Sequence, residues 1–338
     1  MKTEKKLTLR QIAQLARTSK STVSRVLTNH PSVSPATRAR IEAAIRKHGY
    51  APNFFARGLA GGRTGLIATL ATEINSGFFA EVLKGVNQVV LQNGGHVMSS
   101  FARDADDYIH LWKNLSEQGR ADGLILIAPP VEVLAEAFAA DEQPPTVLCA
   151  CRPVRNTFGW DNVSSVTVGN RQGMTEILQH LAERGCRHVA YLAGPTNVYD
   201  AQERVIGVKA FSSLRPGFGI DIVQAGQNRE EGYQAALDYM SKRSEPPDAF
   251  VAFNDSTAYG VLQAMKEIGV AVPGQTRVAG CDDEDAAAAV GLTTLHMNMV
   301  DLGQEAARLL FRHLNARDTT PDAEHIVIDM QVRARSTS

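Results

Sequence analysis

Between Ser19 and Leu27 the chain reads SKSTVSRVL, which sets Lys20, Ser21, Thr22, Ser24 and Arg25 along one short stretch. Val23, Val26 and Leu27 are interleaved at helical spacing, so a helix here buries one face and shows the other. A short helix rich in hydrogen-bond donors is what the DNA major groove accepts, where arginine, lysine and hydroxyls meet base edges. A second cluster, Asp282, Asp283, Glu284 and Asp285, has oxygens enough for a hard cation. Such a run after a strand is more often a loop with one member bonding a ligand hydroxyl, so no metal is expected. Cys149, Cys151, Cys186 and Cys281 contain no C-x-x-C pair, so zinc-ligand spacing is absent and buried, reduced thiols are expected. No P-loop, H-E-x-x-H or G-x-S-x-G occurs, and no G-x-G-x-x-G follows the first apolar strand. The chain is therefore expected to be no enzyme and to carry no cofactor.

The donor-rich helix needs a scaffold, and the flanking sequence supplies one. Thr8 followed by Gln11 fits a capping box, with Ile12, Leu15 and Ala16 as the apolar face of a first helix. A turn is expected near Arg17 and Thr18, and Ser19 can cap the second helix. Ser34 followed by Pro35 starts a third, whose inner face is Ile41, Ala44 and Ile45 and which Gly49 closes. Arg38, Arg40, Arg46 and Lys47 are left mostly outside, suited to phosphate contacts that fix orientation. Beyond Tyr50, Asn53 could cap two turns running to Ala60. With Gly58 inside, that segment should not be stable alone.

Charge separates the ends of the chain. Residues 1–62 hold 12 Lys plus Arg against 2 acids, whereas the remaining residues of this 338-residue chain hold 23 against 34. A basic front on an acidic body points to a polyanionic partner at one end only. No apolar run is long enough to span a bilayer and no secretory h-region is visible, so a cytoplasmic protein is expected.

From Gly65 onward, apolar runs alternate with amphipathic helices. LIATLA (66–71), HVMSS (96–100), GLILIA (123–128) and TVLCA (146–150) read as strands. A second cycle restarts at HVAYLAG (188–194) and continues through AFVAFND (249–255) and RVAGCDD (277–283). The fold class expected is α/β: parallel sheets flanked by helices in two lobes, behind a helical head. Ligands in such sheets bind beyond the carboxyl ends of the strands, which places a pocket in the cleft.

The run from Thr8 to Ala68, with TVSRVL, VS-x-x-TR, Y-x-PN and LA, resembles the head piece and hinge of the lactose-repressor (LacI/GalR) family of bacterial transcription regulators. The resemblance implies a helix-turn-helix domain over residues 1–50 and a hinge helix over 51–63. It also implies an effector-binding, dimerising core over 64–338 with the architecture of periplasmic binding proteins. Within that core, lobe 1 would span roughly 64–162 and 296–322, and lobe 2 roughly 163–295 and 323–338. Lys20, Ser21 and Arg25 occupy its base-reading positions, and Leu59 the position of a leucine wedged into the minor groove. Thr8, Ser19, Thr22, Ser24, Asn29, Asn53, Arg57 and Ala60 complete the expected duplex contacts.

The resemblance extends to the body. NSGFFAEVLKGV (75–86) offers Phe78 or Phe79 as a cleft-lining aromatic; AGP with Arg204 ten residues on, FND with Asn254, and GCDD with Asp282 match effector-site segments. A carboxylate and an amide sharing hydroxyls, an arginine fork and an aromatic cover suit a sugar. Two positions depart from the family pattern. Cys149-Ala150-Cys151-Arg152 has no carboxylate, and Arg152, if it faced the cleft, would favour an acidic or phosphorylated sugar. Cys281 stands where an aromatic is common, which would make that wall smaller. No leucine heptad ends the chain, so a homodimer is expected. The sequence thus reads as a repressor that binds a near-palindromic DNA operator under control of a small carbohydrate-like effector. A transport-type sugar-binding protein or a sugar-modifying enzyme on the same two-lobed fold is the alternative.

Overall fold

The computed structural model describes residues 7–27, 31–50, 63–72, 77–117, 121–137, 144–153, 163–316 and 321–338. The chain divides into two compact units, Met1–Thr64 and Gly65–Ser338.

The first unit holds α1 (Leu9–Leu15), α2 (Lys20–Leu27) and α3 (Pro35–Lys47) among its described residues. The expected capping box starts α1. The Thr8 hydroxyl accepts from the Gln11 N–H at 3.4 Å, while the Thr8 N–H donates to Gln11 Oε1 at 2.8 Å. That arrangement satisfies two backbone donors that would otherwise be orphaned. Arg17 takes φ 48° in the turn, and Ser19 Oγ accepts from the Thr22 N–H at 3.1 Å to open α2. Ser34 caps α3 with Pro35 in its first turn. Ile12, Ala13, Ala16, Val23, Val26 and Ile41 form the core of this unit. Leu15, expected on the inner face, is 49% exposed. Ala13 takes the inward place because the buried arc centres on Ile12, Ala13 and Ala16, leaving Leu15 beyond its edge. Arg40 bends back to donate its Nε–H to the Ala16 carbonyl at 2.9 Å, tying α3 to the end of α1.

The second unit contains two sheets. In chain order its elements are β1 (Leu66–Ala71), α4 (Gly77–Gln92), β2 (His96–Phe101), α5 (Ala105–Glu117), β3 (Gly123–Ile127), α6 (Val131–Ala137), β4 (Thr146–Cys149) and β5 (Ser164–Val168). They are followed by α7 (Asn170–Glu183), β6 (His188–Ala193), α8 (Tyr199–Ser213), β7 (Gly219–Gln224), α9 (Arg229–Met240), β8 (Ala249–Ala252), α10 (Asp255–Glu267) and β9 (Arg277–Asp282). The chain closes with α11 (Asp285–Ala289), β10 (Thr293–His296), α12 (Met299–Asn315), β11 (His325–Ile328) and β12 (Gln331–Arg333).

Among the described residues, one sheet runs β2-β1-β3-β4-β5-β11, every pair parallel. The other runs β7-β6-β8-β9-β10-β12, parallel except for the β10–β12 pair. Strands β1, β3, β4, β6, β8 and β9 are buried almost throughout, as parallel strands covered on both faces must be. The chain passes between lobes after β5, after β10 and after β11.

Those crossings revise the expected lobe limits. Strands 164–168 and 325–328, assigned by sequence to the second lobe, belong to the first sheet. The first lobe therefore spans about 65–168 and 299–328, and the second about 170–296 and 331–338. SSVTV lacks the apolar run of its neighbours because its hydroxyls are used. Ser164 Oγ pairs with His313 Nε2 at 2.7 Å and Ser165 Oγ with His325 Nδ1 at 2.9 Å. Helices α4 and α12 cross at near backbone contact: a Cβ at Gly303 would lie 2.0 Å from the Val82 carbonyl oxygen, and one at Gly85 equally close to that of Val300. Glycine is what permits that approach.

Candidate functional site

In the first unit, α2 leaves Lys20, Ser21 and Arg25 exposed, with Thr22 and Ser24 half-buried, while Val23 and Val26 hold it to the core. Ser19 Oγ pairs with Ser21 Oγ at 2.7 Å and with Thr22 Oγ1 at 2.8 Å, a hydroxyl cluster at the start of the helix. No acid stands in the first turn of α2 or α3. Their amino ends therefore keep the partial positive charge that phosphate oxygens favour. Thr8 is committed to capping α1. Asn29, Asn53, Arg57, Leu59 and Ala60 lie outside the described residues.

In the second unit a pocket opens between the lobes on an empty volume of about 800 Å³. Thr72 at the end of β1 and Ala128 at the end of β3 line it from the first lobe, with Phe78 and Phe79 from the first turn of α4. The second lobe brings Asp200 and Arg204 from α8, Gln227 and Asn228 before α9, Phe253, Asn254 and Ser256 around the start of α10, and Asp282 at the end of β9. The pocket thus sits at the carboxyl ends of both sheets.

Five of the six effector residues expected from sequence meet here: Phe78, Phe79, Arg204, Asn254 and Asp282. Phe78 and Phe79 stack edge to face at 5.3 Å. Phe78 is half-buried, whereas Phe79 is mostly absorbed into the core. Arg152 does not join them: it is exposed and outside the lining. Cys151 turns inward against the core beneath α5 and β3, so the next side chain points to water. Cys281 forms no wall either, being fully buried in the core. Phe253 lines the pocket instead.

Arg204, 2% exposed, is the centre of the polar network. Its Nε–H donates to Asn170 Oδ1 at 2.8 Å and a terminal N–H donates to the Phe253 carbonyl. Its other terminal nitrogen is 3.8 Å from Asp282 Oδ1, and the guanidinium lies 4.8 Å above the Phe253 ring centre. Asn170 Nδ2–H donates to Asp200 Oδ1 at 2.7 Å, so one amide links Arg204 to a second carboxylate. Asn254 caps α10, its Oδ1 accepting from the Thr257 N–H at 2.8 Å while its Nδ2–H donates to the Gln227 carbonyl at 2.8 Å. Gly194, in the AGP motif, leaves room for the Phe253 ring, which a Cβ there would meet at 2.5 Å.

The electrostatics follow from burial. Burial pushes the Asp282 carboxyl well above the usual carboxylate range, and Arg204 opposes that only in part. Asp200 is raised for the same reason, against Arg204 and the Asn170 hydrogen bond. Burial alone would lower the Arg204 pKa, but Cys281, Asp282 and Asp200 outweigh it and the guanidinium stays charged. Both partners of the ion pair shift upward because, for the carboxylate, desolvation exceeds what one cation at 3.8 Å returns. Asp282 takes φ 121° and Asp283 φ 57°. Such backbone strain in non-glycine residues gathers where a side chain must be aimed.

The acidic run is dispersed among separate duties. Asp283 accepts from Arg335 at 2.6 Å and pairs with His296 at 3.0 Å. Glu284 accepts from the Gly77 N–H at the start of α4, and the Glu284 N–H donates to Asp255 Oδ2 at 2.9 Å. Among the described residues no group of three His, Cys, Asp or Glu could hold a metal ion. The lobes are bridged again where the Val131 N–H donates to the Asn197 carbonyl at 2.9 Å and Asn197 Nδ2–H to Glu132 Oε1 at 2.9 Å.

Asp200, Asn170 and Phe253 were not anticipated from sequence. The available signal was Asp200 four residues before Arg204, which puts both on one helix face.

Residues 8–53 match the bacterial regulatory proteins, lacI family, and residues 178–338 match a periplasmic binding protein-like domain. Among curated relatives, the HTH-type transcriptional regulator CelR of Thermobifida fusca is 29% identical over 95% of this chain and 96% of its own length. The HTH-type transcriptional regulator GalR of Escherichia coli (strain K12) is 26% identical over 98% and 96%. Among solved structures, a transcriptional regulator CelR–cellobiose complex covers 98% of this chain and 100% of its own, at 25% identity and TM-score 0.72. A lac repressor dimer bound to operator and the anti-inducer ONPF shares the fold over 98% and 99%, at 23% identity and TM-score 0.83. Among the described residues no helix is long and apolar enough to cross a membrane.

Proposed function

We infer that this chain, which belongs to the LacI/GalR family of DNA-binding transcriptional regulators, is a repressor of carbohydrate-metabolism genes whose hold on an operator is set by a small sugar-like effector in the interlobe pocket. The observation that carries the reading is that one chain holds both a donor-rich helix α2, exposed on a helix-turn-helix, and a cleft gathering Arg204, Asn254 and Asp282. The relatives support it by name: one is a regulator seen with cellobiose, another a repressor dimer seen on its operator. A sugar-binding protein of the transport type has no use for the basic head.

The chain acts as a homodimer in the cytoplasm on a near-palindromic DNA operator, because two-fold symmetry of the protein repeats in its site. Lys20, Ser21 and Arg25 read base edges. The other basic residues of the head contact phosphate, and Leu59 wedges into the minor groove between two hinges. Effector binding changes the angle between the lobes, which must remake the bridges at Asn197–Glu132 and Glu284–Gly77. An effector acts only to the extent that it prefers one of those arrangements.

Selection from a pool of random-sequence duplexes with the full chain tests this. The expected result is recovery of a two-fold symmetric consensus. Recovery of no preferred sequence, at low and at physiological salt, would overturn it.

A further inference from the structure

This inference rests on the reading of the interlobe pocket as an effector site, and concerns which chemical class it admits. Helix amino ends are where phosphates and carboxylates of ligands usually bind, because free N–H groups and the helix dipole favour negative charge. Four helices begin at this pocket among the described residues: α4 with Phe78, α8 with Val198 and Asp200, α9 with Asn228, and α10 with Asn254 and Ser256. Each beginning already has a carboxylate. Asp200 lies in the first turn of α8, Glu230 and Glu231 in that of α9, and Asp255 in that of α10. Helix α4 has no acid of its own in its first turn, yet Glu284 from the other lobe accepts its Gly77 N–H.

The cation in the pocket is already paired. Arg204 is the sole Lys or Arg among the described lining residues; it donates to Asn170 and the Phe253 carbonyl, and its charge faces Asp282 at 3.8 Å. Asp200 shares no hydrogen bond with Arg204 directly, the two being linked through Asn170, although the guanidinium charge acts on it. Its second oxygen accepts no hydrogen bond from the described residues, and the residue is 6% exposed. Two carboxylates thus face the cavity against one guanidinium, and Asp200 is the one outside ion-pair distance of it. Burial raises this carboxyl, and Arg204 and the Asn170 hydrogen bond offset that only in part.

We propose that the pocket admits polyols without an anionic group and rejects sugar phosphates and sugar acids, with Asp200 as the residue that sets this selectivity. A neutral hydroxyl or an ammonium donates to the open Asp200 oxygen. A phosphate or carboxylate there meets like charge in a poorly solvated site, at a helix start that already carries Asp200, and the one guanidinium is already paired with Asp282.

The test uses the full chain and matched sets of probes: neutral hexoses and pentoses, their 2-amino derivatives, their uronic acids and their terminal phosphates. Binding is read by thermal shift and calorimetry. The wild-type chain is expected to bind at least one neutral or amino member, with the anionic counterparts weaker by about a hundredfold or more. Asp200→Asn should narrow that gap by about tenfold or more while the neutral probe changes less. Its far-UV spectrum and unfolding midpoint verify folding, and Asp200→Ser serves if it does not fold. Tighter binding of any anionic member than of its neutral counterpart overturns the proposal, as does an unchanged gap in the variants. A panel that shifts nothing, in a chain that still selects an operator, overturns the proposal and leaves the DNA-binding reading standing.

Discussion

Replacing Arg204 with methionine tests the energetics of the pocket most severely. The substitution keeps a linear side chain of similar bulk and removes the charge, the donors to Asn170 and Phe253, and the counter-charge to Asp282. With Arg204 only 2% exposed, its partners are satisfied by the guanidinium rather than by solvent. Removing one partner of a buried pair costs about 3–5 kcal/mol, because the carboxylate left behind is buried without compensation. A body this large responds at about 2 °C per kcal/mol, so the unfolding midpoint should fall by roughly 6–10 °C. The double variant Arg204→Met/Asp282→Asn should recover a good part of that loss, since the orphaned charge goes with its partner. The pH dependence has a definite sign. Asp282 and Asp200 are already raised by burial, and loss of Arg204 raises them further. Groups whose folded pKa lies above the unfolded one stabilise at low pH and lose that contribution as pH rises. The deficit of Arg204→Met should therefore be larger at pH 8 than at pH 5. Near-ultraviolet circular dichroism melts at both values measure it. A midpoint equal to wild type, or a deficit that grows toward acid, would refute the account of the network.

Gly303→Ala should destabilise the body by about 1–3 kcal/mol, because its Cβ would fall 2.0 Å from the Val82 carbonyl oxygen on the facing helix. A denaturant midpoint within error of wild type would mean that α4 and α12 can part at little cost. Asp255, buried and pushed up to about 7 chiefly by desolvation, should make wild-type stability decline relative to Asp255→Asn as pH rises from 4 toward 7 and then level off. Parallel stability curves for the two proteins across that range would contradict the burial argument. Arg25→Ala should weaken operator binding by about 1–3 kcal/mol while binding to random duplex changes less. Equal losses on both, read by gel shift at one salt concentration, would deny Arg25 a base-reading role.

What could be read in advance depended on whether a residue's role was local. The Thr8–Gln11 capping box, the Ser34–Pro35 helix start and the apolar strands of the body are written in neighbouring residues, and the structure contains them. Strand 164–168 was not legible, because its serines are satisfied by His313 and His325, far away in sequence. Leu15 and Arg152 failed for a related reason: their neighbours Ala13 and Cys151 have the stronger hold on the core, and that is settled by packing. In the pocket, Arg204, Asn254 and Asp282 came from motif resemblance. Asp200 and Asn170, which complete the network, are matched by no motif, and only the approach of α7 to α8 brings them together.

The central claim is that the pocket behind Asp282 governs the grip of the basic head on DNA. The most direct measurement is operator affinity by fluorescence anisotropy, with and without a sugar that stabilises the chain, for wild type and Asp282→Asn. The account predicts that the sugar shifts the wild-type Kd by about 5–150-fold, and that Asp282→Asn binds operator as wild type does without responding to sugar. A wild-type Kd unmoved by a sugar shown to be bound, or an equal response in Asp282→Asn, would contradict it.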